Sequence, residues 1–267
     1  MKVFDGKFFA PTLEEKIKDY LGSHKVFGIL AIVQIGSNPS SEKYISLKKK
    51  LCDKLGIKAE VYQMEDSLSD DELKSRIKKL FEDESVTGGI IQLPLPRASL
   101  KPILDLIPTE KDIDLLSSAS KERFYNGDFS RLSPILRALD YFLKNCDIDI
   151  EDKKVIVIGD GELVGKPTHF YLSRLGANSE IINSYKTGQK LDCDLLILSA
   201  GIPYLVDGED VSEGCSVVDF GSSVVNEKTA GDLDSRSKLD HLAFVSPSPG
   251  GMGPLVVRFL VMNFLNI

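Results

Sequence analysis

A lysine stands in this sequence where an apolar residue is expected. Wound at about 100° per residue, the stretch Ser41–Leu51 and the turn after it place Tyr44, Ile45, Leu47, Leu51, Cys52 and Leu55 on one apolar arc. Glu42, Lys43, Lys49, Lys50, Asp53 and Lys54 fall outside it. Lys48 projects from the middle of that arc, one turn beyond Tyr44. Such a lysine snorkels to water, finds a partner, or gives up its proton more easily than a free one. The first outcome is an ordinary amphipathic helix; the last is proton-transfer chemistry near neutral pH.

Two further groups are candidates for that chemistry. Gln92 ends the apolar run Gly88-Gly-Ile-Ile-Gln92-Leu93-Pro-Leu-Pro96, where a neutral amide either satisfies neighbouring backbone or faces a ligand. Asp112 and Asp114 flank Ile113 after Pro108, a pattern that on its own reads as a turn. A different chemistry is written in Lys154-Val-Ile-Val-Ile-Gly159-Asp160-Gly161-Glu-Leu-Val164-Gly165-Lys-Pro167. Glycines between a buried strand and a helix start allow close backbone approach, and the helix N-terminus favours a pyrophosphate. This is a G-x-G-x-x-x-G variant of the dinucleotide fingerprint.

The elements that must hold these residues alternate. Thr12–Leu21 reads as a helix with Thr12 and Glu15 spaced as a capping box. Phe27–Ile35 is a buried strand; the Lys48 helix follows and stops at Gly56. Lys58–Met64 is a strand, Asp70–Glu82 a helix, and Gly88–Pro96 a strand with a proline-rich exit. Ser133-Pro134 introduces a helix over Ile135–Cys146. Strands at Lys154–Ile158, Ser179–Asn183, Leu195–Ala200 and Ser216–Phe220 come next, then the loop Ser246–Pro254 and a helix over Leu255–Leu265. The fold class expected is α/β. It comprises two three-layer α/β lobes, the second Rossmann-like, with the last helix crossing back to the first. The boundaries expected are 1–133, completed by 254–267, and 134–253.

Composition narrows the partners. Of 267 residues, 42% are hydrophobic and 27% charged, the proportions of a soluble globular chain. A net charge of −7 argues against nucleic acid or an anionic membrane as a partner. Four scattered cysteines and three histidines form no zinc pattern, so no metal is expected. With neither a signal peptide nor an apolar run of the ~20 residues needed to span a bilayer, the expected location is the cytoplasm.

Taken together, these motifs resemble the bifunctional methylenetetrahydrofolate dehydrogenase/methenyltetrahydrofolate cyclohydrolase family over nearly the whole chain. The resemblance is carried by Asp5-Gly6-Lys7, Val33–Tyr44 with Lys48, Gly89–Pro96, Lys111–Asp114, Val164–Pro167, Ala200–Pro203, Gly231-Asp232 and Pro247–Pro254. It implies a folate pocket in which Lys48 is the central catalytic residue, held by Gln92. Tyr44 orients the folate and Asp114 bonds the pterin. Leu93, Pro249, Gly250 and Gly251 belong to the substrate's surroundings. The cofactor would lie on Gly159, Asp160, Gly161, Val164, Gly165, Ser184, Gly201, Pro203 and Ser222. The implied reaction is oxidation of methylenetetrahydrofolate with NADP, then hydrolysis to formyltetrahydrofolate. The implied assembly is a homodimer, in which an edge strand such as Ala243–Val245 is paired with a second copy or covered within the chain.

Several positions depart from the family pattern. Gly159-Asp160-Gly161 stands for the usual Gly-Arg-Ser, whose Arg and Ser help hold the 2′-phosphate of NADP. An aspartate there repels it and leaves NAD open. The strand end Ile181-Ile-Asn183-Ser184 carries no acid for the ribose hydroxyls of NAD, while Ser184 and Lys186 offer a phosphate a hydroxyl and a cation. Leu115 replaces a glycine, Leu132-Ser-Pro134 replaces Pro-Cys-Thr-Pro, and Gly221-Ser222-Ser223 replaces Gly-Ile-Asn. Two other readings stand beside the bifunctional one: a dehydrogenase of the same fold without hydrolase activity, and a non-catalytic nucleotide-binding regulator.

Overall fold

The computed structural model describes residues 1–267 apart from the side chain of Ser40. The chain opens with strand β1 (Lys2–Val3) and helix α1 (Gly6–Ser23), and divides into two compact units. One comprises Thr12–Pro134 with Val257–Ile267, the other Met1–Pro11 with Ile135–Val256.

In the first unit, β2 (Ile29–Ile35), β3 (Ala59–Met64) and β4 (Val86–Ile91) form an all-parallel sheet in the order β3-β2-β4. Every residue of β2 is buried, which requires cover on both faces. Helix α2 (Pro39–Leu55) follows β2, and α3 (Asp70–Glu82) follows β3. Their ends obey local rules. Asn38 caps α2 by accepting from the Ser41 N–H at 3.1 Å, Pro39 sits at its start, and Gly56 closes it at φ 72°. Ser69 and Glu72 form a reciprocal capping box on α3.

Three local expectations are corrected. Helix α1 starts at Gly6, not Thr12: the Asp5 carboxylate accepts from the Lys7 N–H at 2.9 Å, and Thr12 and Glu15 lie exposed within the helix. The helix contains Pro11, and the buried residues Ala10, Leu13 and Ile17 carry one face straight through it. Strand β2 begins at Ile29, because Gly28 turns at φ 105° and leaves Phe27 76% exposed. On α2, Leu47 is 45% exposed and leaves the apolar arc. The buried face runs instead through Ser41, Ile45, Lys48, Leu51 and Cys52, so the lysine, not the leucine, lies inward.

Helix α4 (Ser118–Tyr125), which has little apolar period, and a 3-10 helix at Ala98–Leu106, which Pro102 interrupts in sequence, are further elements that local pattern does not indicate. The first unit also takes the last two-thirds of α7 (Met252–Leu265). There the Asn263 amide donates to the carbonyls of Ile113 (2.9 Å) and Leu132 (3.0 Å). Glu14 of α1, 4% exposed, accepts from Lys54 of α2 at 2.5 Å and from Arg258 of α7, tying three helices with one carboxylate.

The second unit holds helices α5 (Pro134–Asn145) and α6 (Gly165–Arg174) and a six-stranded sheet. Its further strands are β5 (Lys154–Ile158), β6 (Asn178–Ile182), β7 (Leu195–Leu198), β9 (Ser216–Asp219) and β13 (Phe244–Ser246). Their order is β1-β13-β9-β7-β5-β6, every pair parallel. The order reverses at β5, from which the chain goes to β6 on one side and β7 on the other. That makes the carboxyl ends of β5 and β7 the switch point of a doubly wound sheet. Smaller pairs are β8 (Val206–Asp207) with β12 (Leu233–Asp234), and the hairpin β10 (Ser223–Val225) with β11 (Lys228–Ala230).

Of the two alternatives for Ala243–Val245, cover within the chain is the one found. Ala243–Val245 is no edge, because β13 lies between β9 and β1. For the same reason Met1–Pro11, expected with the first domain, group with the second unit. Among the described residues no helix is long and apolar enough to cross a membrane.

The Glu14 triad yields a stability prediction. Its cationic partners and hydrogen bonds hold the Glu14 carboxyl below its usual range against the opposing effect of burial. The stabilisation is therefore present above the ordinary glutamate pKa and lost as pH falls through the lower folded value. Glu14→Gln should cost about 1–2 kcal/mol at pH 7 in urea melts, since Lys54 remains largely exposed. The difference from wild type should shrink toward pH 3.

Candidate functional site

The residues with chemical potential fall into two sets, one in each unit. In the first unit, α2 delivers Lys48 from its buried face at 7% exposure. Strand β4 continues into Gln92, whose N–H still bonds the Val33 carbonyl of β2 at 2.8 Å. Lys48 Nζ donates to Gln92 Oε1 at 2.8 Å. The amide cannot be reversed without loss, because Gln92 Nε2 donates to the Leu93 carbonyl at 2.9 Å. Ser41, 4% exposed and also on α2, donates its hydroxyl to that same carbonyl at 3.2 Å. Ser41 is absent from the sequence reading; its position one turn before Tyr44, and two before Lys48, was the available signal.

Asp114 reaches this pair through the loop after β4. The Gly89 N–H donates to the Lys111 carbonyl at 2.8 Å, and Gly89 and Asp112 form a parallel bridge. Asp114 follows two residues later, close enough for its charge and that of Lys48 to act on each other. Lys111 fixes the loop's start, donating Nζ to the Phe81 and Asp83 carbonyls at 2.7 and 3.1 Å, where α3 ends. Asp112 is 1% exposed and accepts from the N–H groups of Leu116 and Ser117 and the Ser120 hydroxyl. Of the two aspartates, Asp112 is the structural one and Asp114 faces the lysine.

The electrostatics follow from burial. Burial pulls the Lys48 ammonium below its ordinary range, and the charge of Asp114 pulls it back up. Burial also raises the Asp114 carboxyl, with Lys48 opposing and Asp112 adding to the rise. A neutral amide contact leaves this balance undisturbed; a carboxylate in its place would lock the lysine as a cation. Tyr44 lies one turn before Lys48 on α2 and is partly exposed, as is Leu93. Leu115 adopts φ 57°, the left-handed region that favours glycine, so the loop keeps its turn despite the leucine.

In the second unit the glycine turn lies at the switch point. Gly159 has φ 99°, and a Cβ there would lie 2.7 Å from the Ser199 carbonyl of the β7 exit. A Cβ on Gly165 would lie 1.9 Å from the Gly159 carbonyl. The glycines thus press the N-terminus of α6 against the end of β5, while Gly161 faces open space. These features fit a dinucleotide pyrophosphate. Val164 caps the start of α6 and is partly buried; Asp160, Gly161 and Ser184 are exposed.

The β7 exit is shaped by a carboxylate that the sequence marks as part of the Gly231-Asp232 motif without indicating its role. Asp232, fully buried, accepts from the N–H groups of Ala200 (2.7 Å) and Gly201 (3.0 Å), and Pro203 follows in the same loop. Ser223 of β10 donates to the Gly201 carbonyl at 2.8 Å, and Ser222 beside it is exposed. Asp219, at the end of β9, accepts from the N–H groups of Gly221, Asp232 and Leu233; burial pushes its carboxyl up to about 7. In the last loop Pro249 is exposed, the Gly250 carbonyl accepts from the Gly6 N–H at 3.0 Å, and Gly251 is buried.

A glycine-lined switch point in a doubly wound sheet, in one chain with a buried lysine–amide–carboxylate set, defines a nucleotide-dependent α/β enzyme. The family model for the tetrahydrofolate dehydrogenase/cyclohydrolase catalytic domain matches residues 4–114, and that for its NAD(P)-binding domain matches 136–267. The chain therefore belongs to the tetrahydrofolate dehydrogenase/cyclohydrolase family. It is similar to the bifunctional protein FolD of Clostridium novyi (33% identity, 97% of this chain and 96% of that one). A similar likeness holds for FolD of Agathobacter rectalis (32%, 98% and 96%). The crystal structure of the FolD methylenetetrahydrofolate dehydrogenase/cyclohydrolase from Campylobacter jejuni superposes with a TM-score of 0.91 at 30% identity, covering 100% of this chain and 98% of that one. The chain is an enzyme of tetrahydrofolate one-carbon chemistry with both a catalytic and an NAD(P)-binding domain.

Two substitutions test the local geometry. At Leu115, glycine should be more stable than alanine by about 1 kcal/mol, because the left-handed backbone penalises a Cβ; thermal melts of the two variants decide it. Gly165→Ala should abolish measurable NAD(P) binding in calorimetry, since its methyl group meets backbone rather than a movable side chain.

Proposed function

We propose that this chain oxidises methylenetetrahydrofolate to methenyltetrahydrofolate with NADP and then hydrolyses the product to formyltetrahydrofolate, with Lys48 as the proton-transfer group. The observation that carries this assignment is the buried Lys48 ammonium bonded at 2.8 Å to a neutral amide oxygen.

For the first step the cofactor, when held at the glycine turn of the second unit, would supply the acceptor for a hydride leaving the methylene carbon. The protein contributes position: Asp114 bonds the pterin, Tyr44 packs beside it from α2, and Leu93 borders the folate. Pro249, Gly250 and Gly251 are assigned to the folate as well. In the second step water adds to the methenyl carbon and the ring opens. Lys48, which burial lets lose its own proton below the ordinary lysine range, accepts the proton from that water as the neutral amine. Gln92 keeps the amine aimed without fixing it as a cation. Gly159, Asp160, Gly161, Val164, Gly165, Ser184, Gly201, Pro203 and Ser222 are assigned to the cofactor. We also place the protein in the cytoplasm as a homodimer. Its four cysteines are free thiols, and Val224, 57% exposed on the β10–β11 hairpin, offers apolar surface to a second copy.

The test is spectral. Methylenetetrahydrofolate is supplied with NADP, and reduced cofactor and methenyl intermediate are followed together. Wild type should reduce cofactor with little methenyl build-up. Lys48→Met should lose hydrolysis by roughly 10²–10⁴-fold, the scale of a general-base contribution, so that methenyl accumulates. Failure of the folded wild type to reduce either NADP or NAD sinks the assignment. The pH profile gives a second reading: hydrolysis should rise as Lys48 loses its proton, below the ordinary lysine range. Gln92→Glu puts a carboxylate beside Nζ, stabilises the ammonium, and should move that rising limb to higher pH by about one unit or more.

A further inference from the structure

The cation beside the turn after β5, Lys166, is already paired with an acid of that turn. Glu162 is paired with Lys166 at 2.8 Å, which leaves Asp160, exposed, as the uncompensated charge of the turn. A phosphate bound near it must find its positive partner elsewhere. The end of β6 is the neighbouring position, because the Gly159 N–H donates to the Ile182 carbonyl at 3.2 Å.

Beyond Ile182 the chain forms a loop that is pinned from below. Tyr185 is 8% exposed and donates its hydroxyl to buried Asp210 at 3.0 Å. The Gly188 N–H donates to the same carboxylate at 2.7 Å, and the Thr187 hydroxyl to the Leu205 carbonyl at 2.7 Å. Gln189 turns back and accepts from the Lys186 N–H at 2.6 Å. Two lysines lie on this loop, and they are used differently. Lys190 is committed to the 208–210 turn, donating to the Glu209 backbone carbonyl at 2.7 Å and pairing with the Asp210 carboxylate at 3.6 Å. Lys186 is exposed, and its ammonium has no hydrogen bond or ion pair among the described residues. The loop around it is thus held by four contacts while its own charge is left unspent.

We propose that Lys186 is the residue by which this enzyme selects NADP over NAD, supplying at the end of β6 the positive charge that Asp160 withholds at the turn. The proposal rests on the NADP reading above. An ammonium acts on phosphate as a point charge and needs no fixed fork, so a lysine on a held loop suffices. Asp160 works against it, and the preference is the difference of the two.

The test uses cofactor fragments and reads binding, not turnover. In calorimetry at low salt, wild type should bind 2′,5′-ADP about tenfold more tightly than 5′-AMP, and added KCl should narrow the gap. Lys186→Ala should bring the two to near equality with 5′-AMP affinity unchanged, whereas Asp160→Asn should widen the wild-type gap. An unchanged ratio in Lys186→Ala, or a wild type that prefers 5′-AMP, overturns the role of Lys186 while the nucleotide site stands. If the folded wild type binds neither fragment and neither intact cofactor, the NAD(P) reading itself fails, and the proposal with it.

Discussion

Burying a lysine constrains everything around it. An ammonium removed from water must be bonded, balanced by charge or discharged, and Lys48 meets all three conditions in part. Its hydrogen bond goes to a neutral oxygen, its counter-charge is Asp114, and burial opposes both charges at once. Each contact draws on a different element: α2 for the lysine, the β4 exit for the amide, the following loop for the carboxylate. Moving any of them by one residue breaks the set. The rest of the first unit can be read as the scaffold that forbids such a slip. The Asn38 cap sets the start of α2, Asp112 closes the loop, and Asn263 of α7 holds the carbonyl next to Asp114.

The second unit solves a different problem, the approach of backbone to a phosphate chain. Here the decisive feature is lack of side chain, since Gly159 and Gly165 sit where a methyl group would strike backbone. Carboxylates nevertheless shape the site. Asp232 gathers the N–H groups at the β7 exit, and Asp219 gathers those of the segment that carries Asp232. These buried aspartates act on backbone, and their burial is tolerable because several N–H groups converge on each.

The departures from the family pattern separate backbone requirements from side-chain requirements. Leu115 keeps the left-handed turn that glycine adopts more cheaply, so a strained leucine preserves the path of the loop and the position of Asp114. Asp160 differs in kind, because it leaves the turn intact and changes only the charge presented there. The first substitution bears on stability, the second on recognition.

The alternation of strands and helices, the glycine turn, the caps at Ser69 and Gly56 and the anomaly of Lys48 are all legible in the sequence, because each depends on residues a few positions apart. Helix phase is less legible. Tyr44 and Leu47 enlarge the apparent apolar arc, and only packing shows that Leu47 faces out while Ser41 and Lys48 face in. The role of Asp5 in starting α1 is hidden behind Pro11, and the two aspartates of the 112–114 loop look alike until the Gly89–Asp112 bridge assigns one to the loop and one to the lysine. Hydrogen bonds at long sequence separation leave no local trace: Asp232 with Gly201, Asn263 with Ile113, β1 beside β13. Sequence by itself determined the element types, the nucleotide turn and which residues carry reactive groups, since these follow from backbone preference and periodicity. Only the tertiary structure decided which of those groups meet, because burial, register and the balance of opposed charges are properties of segments that the chain does not bring together until it folds.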